Sequence, residues 1–210
     1  MPYLPAIQRQ MADYGIDLNV KRAAMFLAQM HHESKGFSKT SESLNYAADK
    51  LVPLFGKKRI SVADAWKFGR IDDGVRARTG TDKQDQPAHQ NALANIVYGG
   101  AWGATNLGNV VAGDGWPFRG GGLGHFTGRD NYRNFSEWWL GTDELIRNPD
   151  RVRSDPDASV ASFVWFWMSR NLNQLADAGD VAAVTKKVNG GYNGLDERVE
   201  LFHRYLACLG

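Results

Sequence analysis

Eleven of the chain's 23 glycines fall between positions 99 and 128. No other feature constrains the fold as much. Glycine loses more backbone freedom on folding than any other residue and weakens helices and strands alike. The same stretch carries Trp102, Trp116, Phe118 and Phe126, which is too aromatic for a disordered linker. It reads as a long structured loop, too irregular for a helix. Loops of that length inside a compact chain are usually functional.

Helical periodicity surrounds this segment. Leu4, Ile7, Met11 and Tyr14 recur at spacings of three and four, and Gly15 can close that helix. Residues 20–35 form the clearest helix, with Val20, Ala23, Ala24, Leu27, Met30 and His31 on one face and Phe26 beside it. Asp17 or Asn19 can cap its start, and Gly36 ends it. Further helices are expected over 47–55, 61–68, 88–98, 131–140, 157–170, 180–189 and 194–209, while the polar stretch 69–87 reads as a loop. No useful period-2 alternation exists, so the class is mainly α, with room for a minor hairpin.

A chain of 210 residues fits one domain and can bury about 70% of its unfolded surface without disulfide or metal support. Hydrophobic residues at 43% and charged residues at 23% exclude a disordered chain. No apolar run reaches 18 residues, so no membrane span is expected. The net charge of +2 forms no dense basic stripe, which argues against a nucleic-acid partner. Cys208 is the single cysteine and builds no framework. The N-terminus lacks a basic region followed by an apolar run, so synthesis and retention in the cytoplasm are expected.

Three segments carry candidate chemistry. The first is His31-His32-Glu33-Ser34-Lys35-Gly36-Phe37, followed by Ser41-Glu42-Ser43-Leu44-Asn45-Tyr46. Glu33 falls in the last turn of an apolar helix, where burial and the negative helix end favour a protonated general acid. Glu42 lies nine residues on, in a polar stretch, and is expected to stay ionised as a base. Inverting glycosidases hold two such carboxyls about 6.5–9.5 Å apart, leaving room for a water. Two glutamates nine apart are more often solvated surface residues. The adjacent histidines do not make a zinc motif, because position 36 is Gly, and they read as packing or surface residues.

The second segment runs from Gly113 to Tyr132. It lacks the Lys-Ser/Thr of a phosphate loop and the strand–turn–helix setting of a dinucleotide site. Its glycines let backbone approach a bulky ligand, and Thr127 offers a hydroxyl to hold a water. The third is Asn189-Gly190-Gly191, a turn signal at a helix end. Arg198, in the last helix, can pair with a carboxylate and hold it charged. No Gly-x-Ser-x-Gly elbow exists.

Taken together these segments resemble glycoside hydrolase family 19, which contains chitinases and phage endolysins. Residues 31–37 look like the family's general-acid motif and 41–46 like the second-glutamate motif of its phage branch. Gly113-Asp114-Gly115, Phe118-Arg119-Gly120, Gly122-Leu123 and Thr127-Gly128-Arg129-x-Asn131-Tyr132 look like its substrate-cleft segment. Asn189-Gly190-Gly191 and Arg198 match its C-terminal signature. The order holds over residues 20–205.

The resemblance implies a lysozyme-like single catalytic domain over 1–210, two-lobed around a central groove. The smaller lobe is expected within 37–90, with no separate wall-binding domain. It implies Glu33 as acid, Glu42 as base and Thr127 as holder of the attacking water. Asn131 and Asn189 match substrate-binding asparagines, and Tyr46 and Arg198 would line or support the cleft. The family's Arg-Gly-x-Ile-Gln-Leu-Thr is altered here: Gly121 replaces Arg, Gly124 replaces Ile and His125 replaces a substrate-contacting Gln. His125 keeps a hydrogen-bonding ring for substrate.

The implied activity is hydrolysis of the peptidoglycan bond between N-acetylmuramic acid and N-acetylglucosamine, for lysis of a phage's host. Chitin hydrolysis, a silent wall-binding protein and a lytic transglycosylase are the alternatives. No metal or cofactor is needed for a two-glutamate mechanism. The expected partner is the glycan strand, and the expected state is a monomer. The protein would be made in the host cytoplasm and would reach the periplasm or wall through a holin pore.

Overall fold

Asn19 sits in extended backbone, and its Oδ1 accepts hydrogen bonds from the backbone N–H of Lys21 and Arg22. Two of the four orphan donors at a helix start are thereby satisfied. The structure is a computed structural model that describes residues 2–210. Asn19→Ala is expected to remove about 1 kcal/mol of stability. Urea unfolding should show a lower midpoint at unchanged slope.

In chain order the helices are α1 (Leu4–Asp13), α2 (Val20–Glu33), α3 (Ala48–Phe55), α4 (Val62–Phe68), α5 (Asp73–Thr79), α6 (Gln90–Val97) and α7 (Gly100–Leu107). There follow α8 (Arg129–Leu140), α9 (Glu144–Arg147), α10 (Arg151–Ser154), α11 (Pro156–Ser169), α12 (Asn173–Ala178), α13 (Val181–Asn189) and α14 (Leu195–Leu209). The fold is mainly α, as the periodicity requires. Among the described residues only isolated β-bridges occur, such as Ser41 with Gly121 and Ile71 with Gln86. Among the described residues no helix is long and apolar enough to cross a membrane.

The chain forms two compact units. The first comprises residues through Ser41, Gly121–Phe126 and Phe135–Gly210. Its core gathers Phe26 of α2 with Phe163 and Trp167 of α11, edge to face at 5.3 Å in both pairs. The Trp167 indole N–H donates to Asn173 Oδ1 at 2.7 Å, so the buried ring leaves no orphan donor. α11 is buried around most of its circumference from Ala158 to Val164, rather than on one stripe. Small serines make this possible, as Ser162 Oγ donates to the Ser159 carbonyl. Arg22 on α2 binds Asp177 on α12 with two hydrogen bonds, at 2.9 and 2.6 Å.

The second unit comprises Glu42–Gly120 and Thr127–Asn134. Leu44, Leu51, Ile60, Leu93, Val97 and Tyr98 make its core. Here the reading of 99–128 as helix-free is corrected: Gly100–Leu107 is helical. The glycines at its ends are the reason. Gly99 starts it in extended backbone and Gly108 ends it in the left-handed region. The expected loop at 69–87 also contains a helix, α5, capped by Asp72 and stopped by Gly80. Only Val75 of that helix is buried, so its apolar periodicity was too thin to read.

The rest of the glycine-rich segment is held by side chains. Arg129 makes a two-pronged ion pair with buried Asp114, at 2.8 and 2.5 Å. Asn109 donates to the Tyr98 carbonyl and accepts from the Arg129 amide. Tyr132 donates to the Arg119 carbonyl, and Arg119 stacks 3.8 Å over Trp116. These bonds replace the regular ladder that an irregular backbone lacks.

Candidate active site

Glu33 is the last residue of α2. Directly after it, Lys35, Gly36 and Phe37 all adopt left-handed backbone, with φ of 49°, 69° and 62°. Such conformations are unfavourable for Lys and Phe. Ser34 holds them. Its Oγ donates to the Met30 carbonyl at 2.6 Å and accepts from the Phe37 amide at 2.9 Å, while its carbonyl accepts from Ser38 and Lys39. The Phe37 ring is buried against His31. The chain therefore reverses immediately beyond Glu33.

The Glu33 side chain is 27% exposed, and its Oε1 accepts from Arg198 Nη2. The arginine expected to pair with a carboxylate pairs with this one. Arg198 is only 1% exposed. It also donates through Nη1 to Gln29 Oε1 and through Nε to the Asn193 carbonyl. Gln29 lies one turn before Glu33 on α2, so one guanidinium spans both. No protein partner engages Glu33 Oε2 among the described residues.

The loop beneath Arg198 is tied in place. Asn189 Nδ2 donates to the Asn193 carbonyl, and its Oδ1 accepts from the Gly191 amide. Gly194 has φ +70°, and a Cβ there would lie 2.2 Å from the His32 ring. His32 Nδ1 sits 2.8 Å from Glu197 Oε2, at ion-pair distance but without hydrogen-bond alignment. Asn189 thus shapes the loop that supports Arg198.

His31 Nδ1 lies 2.8 Å from the Tyr205 hydroxyl. Burial, then the charge of Arg204, lowers its pKa, against an opposing pull from Glu197. The unfolded chain therefore binds a proton at higher pH than the folded one. The penalty is absent well above about pH 6.5 and grows as pH falls through and below it. We expect the melting temperature to drop between pH 7 and pH 5, and to drop less in His31→Gln. Parallel melting curves for the two proteins across that range would refute this.

In the second unit both oxygens of Glu42 accept hydrogen bonds. Tyr98 Oη donates to Oε1 at 2.6 Å, and the Gly120 amide donates to Oε2 at 3.1 Å. Burial first, then the Glu42 charge, pushes the Tyr98 phenol far above its usual range, so it stays a donor. Arg59 braces that ring: its guanidinium lies 5.4 Å from Tyr98, 4.9 Å from Phe55 and 3.8 Å from Trp102, and its Nε donates to the Val97 carbonyl. Tyr46 packs edge-on to Phe55. Its phenol is also raised, by burial and by the Glu42 charge, which places it within electrostatic reach of that carboxylate. Asn131 Nδ2 donates to the Thr127 carbonyl at 2.8 Å.

The chain is 37% identical over 199 residues to a Haemophilus influenzae protein described as a glycosyl hydrolase family 19 domain-containing protein, covering 94% of this chain and 84% of that one. This chain belongs to glycosyl hydrolase family 19. No family model matches it.

As a family 19 member it is a glycoside hydrolase, and its unusual 121–125 segment has a packing explanation. A Cβ on Gly124 would sit 3.0 Å from the Ser162 carbonyl oxygen and 3.2 Å from its carbon, tighter than most side-chain contacts. The Gly124 amide also donates to Ser162 Oγ. Position 124 thus lies against the α11 backbone. His125 has φ +46°, and its Nε2 lies 3.0 Å from the Lys39 carbonyl. One ring nitrogen is thereby tied to the 38–41 segment. Tyr98 and the Gly120 amide, which engage Glu42, and Gln29 and Arg59, which stand behind Arg198 and Tyr98, were not foreseen. Gln29 left a trace, as a polar residue on the apolar face of α2.

Proposed function

We propose that this glycosidase hydrolyses the β-1,4 bond between N-acetylmuramic acid and N-acetylglucosamine in peptidoglycan, with inversion, as a phage endolysin. The observation that carries the proposal is the contrast between its two carboxyls. Glu33 has one oxygen tied by Arg198 and the other without a protein partner among the described residues. Glu42 has both oxygens fixed by donors.

Glu33 Oε2 would hold the proton given to the leaving glycosidic oxygen. Arg198 orients the carboxyl through the other oxygen. A water, held by the Thr127 hydroxyl, would attack the anomeric carbon from the opposite face. Glu42 would take its proton as the general base. The C–O bond to the leaving sugar breaks, a new C–OH forms, and inversion follows. Asn131, Asn189, Tyr46 and His125 would bind or shape the sugar-binding surface. In this reading the chain acts as a monomer on glycan strands after release through a holin pore.

The test is digestion of purified peptidoglycan with mass spectrometry of the fragments and proton NMR of the first-formed anomer. Reducing N-acetylmuramic acid ends of inverted configuration are expected. Reducing N-acetylglucosamine ends would move the cut to the other bond, and anhydro ends would replace hydrolysis with transglycosylation. Turnover of chitin alone would reassign the substrate.

A further inference from the structure

Arg59 follows two lysines in sequence but does not share their place. Lys57 and Lys58 are exposed, whereas Arg59 is half-buried. Gly56, with φ +80°, ends α3 and opens a turn in which its carbonyl accepts from the Arg59 and Ile60 amides. Ile60 is buried in the core of the second unit and anchors that turn. The Arg59 guanidinium is thereby carried onto rings from three helices: Phe55 of α3, Tyr98 at the end of α6 and Trp102 of α7.

Among the described residues no carboxylate pairs with it, and its Nε donates to the Val97 carbonyl. A cation held out of water without a counter-charge is costly, and aromatic faces offset only part of the cost. Folding alone does not call for one here, since an apolar side chain could fill much of the same space. The use of a guanidinium shows at Tyr98.

The backbone of Tyr98 is already fixed: its amide donates to the Ala94 carbonyl, and its carbonyl accepts from Asn109. What remains to be set is the ring. Phe55 meets it edge-on at 6.3 Å, and the Arg59 guanidinium lies 5.4 Å from its centroid. A ring so pinned aims its hydroxyl at Glu42 Oε1, 2.6 Å away. That is the shorter of the two bonds on Glu42, since the Gly120 amide reaches Oε2 at 3.1 Å. Burial lowers the Arg59 pKa, and the charges of Tyr98 and Glu42 oppose it, so the guanidinium is within electrostatic reach of the carboxylate.

We propose that Arg59 is a positioning residue for the base: its guanidinium fixes the Tyr98 ring so that the hydroxyl holds Glu42 in one orientation. The proposal rests on the reading of Glu42 as general base given above. Arg59 touches neither substrate nor Glu42 in this role and acts only through Tyr98.

The test separates kcat from KM on soluble peptidoglycan fragments for wild type, Arg59→Met, Tyr98→Phe and the double variant, at equal folded concentration. Because Arg59 acts through the hydroxyl, its loss cannot exceed the roughly ten-fold worth of that bond. Arg59→Met is expected to lower kcat about three- to ten-fold with KM nearly unchanged. Where Tyr98 is already Phe, the same change should cost less than about two-fold. Arg59→Lys keeps the charge but not the planar stack, and should recover part of the loss seen in Arg59→Met. An equal loss in both backgrounds overturns the proposal, because Arg59 would then support only the fold. So does an unchanged kcat. A readout independent of turnover is the Tyr98 hydroxyl proton, observed by proton NMR and assigned by its absence in Tyr98→Phe. Its short bond to a carboxylate shifts it downfield, and Arg59→Met should move it upfield or broaden it away. An unchanged resonance overturns the proposal. Should Arg59→Met fail to fold, Arg59→Gln removes the same charge, leaves an amide to donate to the Val97 carbonyl and carries the same expectations. No fragments from wild type would overturn the hydrolase reading instead, and full turnover in Glu42→Gln would overturn the base. In either case the hydroxyl resonance still decides whether Arg59 sets the bond between Tyr98 and Glu42.

Discussion

Glu42→Gln is expected to lower peptidoglycan hydrolysis by about 10²–10⁴-fold, the usual worth of a positioned general base. The amide keeps the shape and can still accept from Tyr98 or from the Gly120 amide, so folding should be little changed. Glu33→Gln should cause a loss of similar size for a different reason. Its amide oxygen can still accept from Arg198, but no transferable proton remains. Tyr98→Phe removes only one hydrogen bond to Glu42, and about ten-fold is expected from a bond of roughly 1.4 kcal/mol. The ranking is the informative part. Initial rates on soluble fragments, measured at equal folded concentration, should give both glutamate variants far below Tyr98→Phe. Full activity in both glutamate variants would remove them from the mechanism. Loss in Glu33→Gln with normal turnover in Glu42→Gln would point to a single-carboxyl transglycosylase.

The residues that bear charge in this proposed scheme were named from the sequence through the family resemblance, since spacing alone marks Glu33 in the last turn of a periodic helix, Glu42 nine residues later and Arg198 in the final helix only as candidates. Their partners were not. Tyr98 closes α6 as one more apolar residue of a helix, and nothing in its spacing says that its hydroxyl meets Glu42. The Gly120 amide is a backbone group, invisible to any residue-type argument. Long amphipathic helices such as α2 and α14 were found by their periodicity. Short ones such as α5 and α12 bury one residue each; α5 hangs on its Asp72 cap and on Gly80, α12 on Gly179, both glycines in left-handed backbone. That Arg198 meets Glu33 in particular could not be read from helix position and apolar neighbours, because the two lie 165 residues apart.

That partner makes the second large prediction. Arg198→Met fills much of the same volume but leaves Gln29 Oε1 without a donor in a fully buried position and Glu33 without its counter-charge. Breaking a buried pair from one side costs about 3–5 kcal/mol. The lower end, about 3 kcal/mol, is expected here because Glu33 is 27% exposed and water can take over part of the cation's role. Arg198→Lys keeps the charge but not the fork, and one ammonium cannot reproduce the planar span between Gln29 and Glu33. Lysine should therefore recover part of the stability and little of the activity, since Glu33 would lose its fixed orientation. Urea unfolding of the single variants and of Glu33→Gln/Arg198→Met together checks the cause. Glu33→Gln already removes the charge that Arg198→Met would strand, so the double variant should lose at least about 1 kcal/mol less than the two single losses combined. Strict additivity would mean that Arg198 stabilises the chain through Gln29 and the 189–194 loop alone, with Glu33 a bystander to folding.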